Sequence, residues 1–254
     1  MTIVFIGDIH QAWHHIQAGL PQSLKTAILL GDIQCDRPLD ELAAPLLDRG
    51  IAVHWIHGNH DNDGGPDMWA NLASPGRNPR TAQGALHARI VTIDGIRIAG
   101  LGGTFRPRIW SPPLKPRLHR RAELPDDMAS LGPAYGLNQR AAIAHSLSSS
   151  AIWPEDIDAL SCQKADILVT HEAPSSHPAG NRALDDLAHA MGARLIVHGH
   201  HHVNSVAHDD RGMSVLSVAA AWGIGLDKTV LWAGEKPRPL PSPTDGWRVQ
   251  SIAA

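Results

Sequence analysis

The chain has 254 residues, 43% of them hydrophobic, and a formal net charge of −3. This length and apolar content suffice for one α/β domain with a sizeable core, and we predict a single domain over residues 1–254. The slight negative charge argues against general nucleic-acid binding, because proteins that bind nucleic acid usually carry an excess of Lys and Arg. The longest apolar runs are strand-sized, far short of the roughly 20 residues that span a bilayer.

The beginning of the chain and its two cysteines indicate a cytoplasmic protein. Strand-like sequence starts at Thr2 and reaches Asp8 without the basic, apolar and small-residue regions of an export signal. In a chain of this kind Cys35 and Cys162 are expected to be reduced thiols instead of a disulfide. We expect no membrane partner.

Histidine is unusually abundant, with 17 histidines against one tyrosine and two phenylalanines. Histidine is the commonest metal ligand and titrates near neutral pH, so this surplus favours a metal site. Most of these histidines stand in no recognisable ligand pattern. We expect those to be surface or half-buried side chains.

Short β-rich runs alternate with helix-compatible stretches in the first part of the chain. Strands are predicted at residues 3–6, 27–30 and 52–56, and helices at residues 11–20 and 39–49. This alternation favours βαβ units. In such sheets the loops beyond the carboxyl ends of the strands converge on one edge, which is where ligands bind.

A β-hairpin is predicted to open the second half. Its strands cover residues 90–93 and 96–99, and Asp94-Gly95 between them is a pair typical of a tight hairpin turn. Further strands are predicted at residues 167–170, 195–198 and 213–218.

Two segments contain too much proline for regular core elements. The first, at about 103–135, is also rich in arginine, and two interpretations stay open: a long loop or lid over the active edge, or a solvated insertion. The second, at about 236–254, is predicted to be an extended Pro-rich tail, packed on the surface or loose, and contains Pro237, Pro239, Pro241 and Pro243.

Residues able to bind metal follow five of the predicted strands. Any one of them could be a turn aspartate or a core histidine. Five strand ends in order, each with Asp, Asn or His, are not explained by turn geometry alone. In chain order the residues are Asp8 with His10, Asp32, Asn59 with His60 and Asp61, His171, and His200 with His202.

These blocks resemble the pattern of the calcineurin-like metallophosphoesterase superfamily, which is Asp-x-His, Gly-Asp-x-x-Asp, Gly-Asn-His-(Asp/Glu), His and Gly-His-x-His. The corresponding blocks of this chain occur in the family's order, from Asp8 to His202. The resemblance implies a four-layer αββα sandwich, in which two packed mixed sheets are flanked by helices and the metal site lies at the strand ends.

The resemblance also implies a role for individual residues. His60 would face the substrate, Asp61 would orient its ring, and Asp36 would support the ligands by hydrogen bonding. The implied metal ligands are Asp8, His10 and His202 for one ion, Asn59, His171 and His200 for the second, and Asp32 as a bridge between both.

Two divalent cations ~3.5–4 Å apart can lower the pKa of a shared water and clamp phosphoryl oxygens. The implied nucleophile is therefore a metal-bridging hydroxide, and His60 would stabilise developing charge or protonate the leaving oxygen. The mixed nitrogen and oxygen ligand set suits Mn, Fe or Zn better than calcium.

The substrate is less sharply indicated. The phosphoprotein phosphatase branch carries Gly-Asp-x-x-Asp-Arg-Gly and Gly-Asn-His-Glu, whereas this chain reads Asp36-Arg37-Pro38 and ends its third block in Asp61. We therefore expect a bacterial-type phosphodiesterase or phosphatase that acts on a small-molecule phosphoester, with nucleotides among the candidates. Arg106 and Arg108 are candidates for binding that substrate.

Two alternatives stay open, a protein phosphatase and a catalytically inactive metal-binding scaffold for protein interaction. His60 discriminates between the scaffold and an enzyme, because a scaffold has no need of it.

Overall fold

The structure is a computed structural model that describes residues 3–18, 20–240, 242, 244 and 246–253. In chain order its helices and strands are β1 (Ile3–Ile6), α1 (Trp13–Ala18), β2 (Thr26–Leu29), α2 (Leu39–Leu42), α3 (Ala44–Leu47), β3 (Ala52–Trp55), α4 (Gly65–Ala73), β4 (Arg89–Ile93), β5 (Ile96–Leu101), α5 (Leu124–Ala129), α6 (Leu137–Ser150), α7 (Pro154–Ser161), β6 (Ile167–Thr170), α8 (Arg182–Met191), β7 (Leu195–His198), β8 (Ser205–Asp209), β9 (Ser214–Ser217), β10 (Gly223–Gly225), β11 (Val230–Trp232) and β12 (Trp247–Ser251).

The strands form two mixed sheets, as predicted. The five-stranded sheet has the order β11-β10-β1-β2-β3, and the seven-stranded sheet has the order β12-β8-β9-β7-β6-β5-β4. Strands β1, β2 and β3 run parallel to one another, and so do β5, β6, β7 and β9. The carboxyl ends of the parallel strands therefore meet along one edge of each sheet.

Alternating side chains of each strand enter different cores, because successive residues of a strand point to opposite faces. Phe5 and Ile28 of the first sheet pack with Val169, Val197 and Leu216 of the second and form the core between the sheets. The neighbouring residues of the strands face outward and are covered by helices.

Helices cover both outer faces. On the five-stranded sheet, Val4 and Leu29 share a core with Trp13 of α1 and with residues of α2, α3 and α4. On the seven-stranded sheet, Ile196 shares a core with Leu187 of α8 and with α7. These layers give the predicted αββα sandwich.

The hairpin prediction is confirmed. β4 and β5 pair antiparallel, with Ile93 opposite Ile96. The turn residues Asp94 and Gly95 have φ values of 51° and 81°, the two positive angles that a type I′ turn requires.

The helix predicted at residues 39–49 is interrupted. It forms two short helices, α2 and α3, which meet at Ala43, where φ is −85° and ψ is 3°. Pro45 occupies the first turn of α3. It has no N–H to donate to Glu41 and its ring would clash with that carbonyl in a continuous helix, so the chain breaks there.

The Pro/Arg-rich segment at about 103–135 is more ordered than a loop. It contains helix α5, and Ile109, Leu124 and Met128 pack with Leu147 and Trp153 in a small core of their own. The segment is therefore anchored on α6 and on the start of α7. Its action as a lid stays a prediction.

The C-terminal segment also contains regular structure that the sequence analysis did not predict. β12 pairs antiparallel with β8, and Val249 lies opposite Ala207. Within the predicted tail, Pro241 and Pro243 lie outside the described residues. Across the residues that are described, every helix is too short or too polar to cross a membrane.

Candidate metal centre

The seven candidate ligands converge at the carboxyl ends of five strands. They lie in the loops after β1, β2 and β3 of one sheet and at the ends of β6 and β7 of the other. The site therefore sits where the edges of the two sheets meet. These ligands are Asp8, His10, Asp32, Asn59, His171, His200 and His202.

His171 lies at the middle of the group and is fully buried. Its Nε2 is 3.3 Å from Asp32 Oδ2 and 3.1 Å from Asn59 Oδ1. Its Nδ1 lies 3.5 Å from Asp8 Oδ1 and 2.8 Å from the carbonyl oxygen of Leu30. The ring of His200 follows, with its centroid 4.9 Å from that of His171.

A second group of donors lies on the other side of Asp32. His10 Nε2 is 3.2 Å from His202 Nε2 and 3.9 Å from Asp32 Oδ2. His202 Nε2 is also 3.9 Å from Asp8 Oδ2. Asp32 thus stands between this group and the group around His171.

The backbone at these loops is strained. His10, Asp32, His200 and His202 have φ values between 43° and 68°, a left-handed region that residues other than glycine seldom adopt. Such strain clusters at functional sites, where the surrounding structure holds it in place. Gly31 beside them has φ 93°, and a Cβ there would lie 2.6 Å from His171 Nδ1.

The ligand loops also fix each other by hydrogen bonds. The N–H of His200 donates to the carboxylate of Asp8 at 2.9 Å. The N–H of His60 donates to Asp32 Oδ1 at 2.7 Å. The two sheets are thereby linked through the candidate ligands themselves.

Burial and mutual charge shift the acidity of the site. Burial, together with the nearby Asp32, raises the pKa of Asp8 to about 7, although His171 opposes this. Burial would also raise the pKa of Asp32, but the charge of His171 and its hydrogen bond outweigh burial and lower it. Burial opposes the charged form of His171, yet Asp32 and Asp8 raise its pKa to about 10.

These donors fit divalent cations. Asp8 and Asp32 are buried carboxylates, and buried negative charge needs a compensating positive charge close by. Imidazole nitrogens of His10 and His202 face each other at 3.2 Å instead of pairing with separate partners. Asp32, His171 and His200 place one donor atom each within 4.8 Å of the others. Imidazole and carboxylate together suit Mn, Fe or Zn.

Gln34 is a site residue that the sequence analysis missed. Its Oε1 lies 2.9 Å from His10 Nδ1. A hydrogen bond from Nδ1–H to this oxygen leaves Nε2 of the ring as the acceptor that faces the other donors. Gln34 lies two residues after Asp32 in the same loop. A polar side chain so close to a ligand block is the sequence signal that points to it.

His60 is held by Asp63, and the expectation that Asp61 orients its ring is wrong. His60 Nδ1 is 2.6 Å from Asp63 Oδ2, and both side chains are about half exposed. The buried carboxylate of Asp61 instead accepts hydrogen bonds from the N–H groups of Gly58 and Gln34, each at 2.7 Å. Asp61 therefore braces two ligand loops against each other.

The support expected from Asp36 is also not observed. Its side chain is exposed, and among the described residues its carboxylate makes no hydrogen bond to a candidate ligand. The sequence explains this difference, since three residues separate Asp32 from Asp36 where the family pattern has two. The additional residue carries Asp36 past the position from which it would face the site.

The sequence model of the calcineurin-like phosphoesterase family matches residues 1–204, which include all seven candidate ligands. The chain belongs to the calcineurin-like phosphoesterase family. As a member of this family it is a metal-dependent phosphoric ester hydrolase.

The chain is also similar to another protein sequence and to solved structures. A protein of Haemophilus influenzae described as uncharacterized is 37% identical to this chain over an alignment of 212 residues, and the alignment covers 80% of this chain and 84% of that protein. A crystal structure of a Thermus thermophilus protein has a TM-score of 0.54 at 13% identity and covers 91% of this chain and 97% of its own. A dimetal phosphatase from Danio rerio has a TM-score of 0.51 at 14% identity and covers 87% and 88%. These two structures share the fold.

The two arginines predicted to bind substrate differ in their surroundings. Arg106 donates to Ser150 Oγ at 3.3 Å. It also lies close to Glu172, the residue after His171. Burial raises the pKa of Glu172, and the positive charge of Arg106 opposes this increase. Arg108 forms an ion pair with Asp127 at 2.6 Å inside the inserted segment. Of the two, Arg106 is the one that lies close to a residue next to a candidate ligand.

Proposed function

We propose that this phosphoesterase hydrolyses small-molecule phosphodiesters, and phosphomonoesters as a second class, at a dinuclear metal centre. The observation that carries the proposal is the convergence of the seven nitrogen and oxygen donors around the buried carboxylate of Asp32.

The distances support two sets of ligands that share Asp32. Its Oδ2 lies 3.3 Å from His171 Nε2 on one side and 3.9 Å from His10 Nε2 on the other. The first set is Asp8, His10 and His202, and the second is Asn59, His171 and His200. When bound, two Mn, Fe or Zn ions supply an activated water and neutralise the phosphoryl oxygens.

The protein's own residues orient the donors and handle the leaving group. Gln34 and the carbonyl of Leu30 accept from the Nδ1 atoms of His10 and His171 and so fix both rings. His60, whose ring lies 5.7 Å from that of His10, stands at the rim and stabilises or protonates the leaving oxygen. Asp63 positions His60.

Two observations favour an enzyme for small molecules over the alternatives. The His60–Asp63 pair at the rim serves no purpose in a metal-binding scaffold, because neither residue belongs to the ligand set. The third block ends in Asp61, and Pro38 follows Arg37 where the phosphoprotein phosphatase branch has glycine. We therefore place phosphodiesters first and protein phosphatase activity as the alternative.

We also propose that the protein is cytoplasmic and acts on a small-molecule phosphoester. Cys35 and Cys162 are both free, as expected in the reducing cytoplasm. Arg106, half-buried and close to Glu172, is proposed to contact the phosphoryl group or a second anionic group of the substrate.

A matched pair of chromogenic substrates tests the reaction type. The purified protein, loaded with Mn²⁺, should hydrolyse bis(4-nitrophenyl) phosphate with a higher kcat/KM than 4-nitrophenyl phosphate. A phosphoserine peptide should be hydrolysed more slowly than either. Turnover of the monoester alone would overturn the diesterase proposal, and preference for the phosphopeptide would favour the protein phosphatase.

A further inference from the structure

A cavity of about 720 Å³ lies between the inserted segment and the segment that follows β6. One wall comes from the inserted segment and includes Trp110 and Leu114. The opposite wall comes from the loop after β6 and the start of α8, and includes His177, Asn181 and Arg182. We call this space the lateral cavity. No step of the proposed hydrolysis uses it.

The lateral cavity is connected to the candidate ligands by a stack of rings. His177 on its wall stacks on His201 with centroids 3.8 Å apart and planes 8° apart. His201 in turn lies 4.6 Å from His200. Two rings therefore separate the cavity from the donor set that includes His171 and His200.

The cavity and His60 are connected to different candidate ligands. His60 stands next to His10, whereas the cavity adjoins His200 through His201 and His177. A group that departs towards His60 leaves the cavity free. The cavity is thus placed for the part of a substrate that stays on phosphorus.

The two walls differ in chemistry. Trp110 Nε1 already donates to the carbonyl of Leu114 at 2.9 Å, so the indole has only its apolar surface left to offer. Leu114, which is 71% exposed, adds an aliphatic side chain to the same wall. The other wall supplies an amide, a cation and a carboxylate, from Asn181, Arg182 and Asp186. The volume lies in the ordinary range for small-molecule sites, about 300–1,000 Å³.

We propose that the lateral cavity binds the retained substituent of a phosphodiester, a planar ring with apolar faces and polar edges such as a nucleobase or an aryl group. Trp110 and Leu114 contact the faces of the ring, and Asn181 and Arg182 contact its polar edge. This inference rests on the proposed phosphodiesterase activity. It adds the class of organic group that the enzyme selects.

Three substrates with the same leaving group test the inference. Thymidine 5′-(4-nitrophenyl phosphate), bis(4-nitrophenyl) phosphate and methyl 4-nitrophenyl phosphate all release 4-nitrophenol and differ only in the retained group. The metal-loaded enzyme should show a higher kcat/KM for the two ring-bearing substrates than for the methyl ester. Preference for the thymidine substrate alone assigns a nucleobase, and preference for both rings assigns any aryl group.

Substitutions in the cavity should remove this preference. Ala183 lines the cavity, and Ala183→Trp would place a bulky ring inside it. The ratio of kcat/KM between the ring-bearing and methyl substrates should fall about tenfold, which is the scale of one lost stacking contact. Ala190→Trp, on an exposed position of the same helix outside the cavity, is the matched control and should keep the ratio.

A second pair of variants tests the inference even if the Ala183 variant misfolds. Leu114→Ser changes an exposed side chain of the cavity wall and should lower the same ratio, whereas Leu137→Ser, at a position 85% exposed and outside the cavity, should not. An unchanged ratio in both Ala183→Trp and Leu114→Ser would overturn the inference and leave the phosphodiesterase proposal standing. If the unmodified enzyme hydrolyses none of the three substrates, the proposed function itself fails.

Discussion

His60 Nδ1 lies 2.6 Å from Asp63 Oδ2, three residues further along the chain. Asp61, immediately after His60, instead faces the backbone of Gly58 and Gln34. The two carboxylates therefore have different roles: Asp63 orients the ring at the rim of the site, and Asp61 ties the ligand loops together. This difference gives predictions that separate the two roles.

Replacing His60 by Ala should lower kcat without changing the metal content. Loss of a general acid typically costs about 10²–10⁴-fold in rate, and the His60 side chain is outside the proposed ligand set. Steady-state kinetics with a chromogenic diester, combined with elemental analysis of the same sample, measures both quantities. Unchanged turnover would remove His60 from the mechanism.

Asp63→Asn and Asp61→Asn should have distinct effects. Asp63→Asn should lower kcat by about tenfold or more with intact metal content and stability, because only the orientation of His60 is disturbed. Asp63→Glu should restore part of the rate. Asp61→Asn should lower metal content and thermal stability, since an amide cannot accept hydrogen bonds from both N–H groups through its two terminal atoms. The opposite assignment of effects would return the positioning role to Asp61.

Adjacent histidines offer a test of the ligand set. His200→Ala should release one ion per chain, whereas His201→Ala should retain the metal content of the unmodified protein. The ring of His201 stacks on His177 and lies 3.9 Å from Glu172. Metal analysis after gel filtration measures the difference. Equal losses in both variants would add His201 to the ligands.

The inserted segment should depend on the buried carboxylate of Asp156 for stability. Arg121 donates to both oxygens of Asp156, at 2.6 Å and 2.8 Å. Burial alone would raise the pKa of Asp156, but hydrogen bonds from His87 and Arg121 lower it below its ordinary value. Removing one partner of such a pair costs about 3 kcal/mol, so Asp156→Asn should lower the free energy of unfolding by about that amount at neutral pH.

The pH dependence of this loss follows from the direction of the pKa shift. A carboxyl whose pKa is lowered in the folded state stabilises the protein at pH values above about 4, its pKa in the unfolded chain. This stabilisation is lost as the pH falls below that value. The stability difference between Asp156→Asn and the unmodified protein should be constant from about pH 8 to pH 5 and should narrow below about pH 4. Urea unfolding at several pH values measures it. Asp166→Asn, which breaks a surface pair with Arg97, should cost much less, and equal losses in the two variants would contradict this account.

The sequence predicted that the candidate ligands lie together because they occur in short local blocks. Each block follows a strand, so the strand pattern and the block order together place Asp8, Asp32, Asn59, His171 and His200 at one edge of the sandwich. The hairpin turn at Asp94-Gly95 is equally local, since both residues carry the backbone preference themselves.

Other features depend on packing between distant parts of the chain and have only a weak local signal. The small core of Ile109, Leu124 and Trp153 joins residues spread over more than forty positions, so proline content alone suggested a loop. β12 carries only a short alternation, with Trp247 and Val249 apolar and Arg248 and Gln250 polar, and it directly follows a proline-rich stretch. The family pattern points to Asp61 as the partner of His60, whereas a turn brings Asp63, three positions after His60, into contact with its ring.

The most direct test of the central claim is the number of metal ions per chain in the active enzyme. Purified protein reconstituted with Mn²⁺ should contain two ions per chain and hydrolyse bis(4-nitrophenyl) phosphate. Chelation should remove both the ions and the activity, and Asp32→Ala, which removes the shared ligand, should bind neither ion firmly. One ion at full activity, or full activity in the chelated protein, would contradict the dinuclear centre.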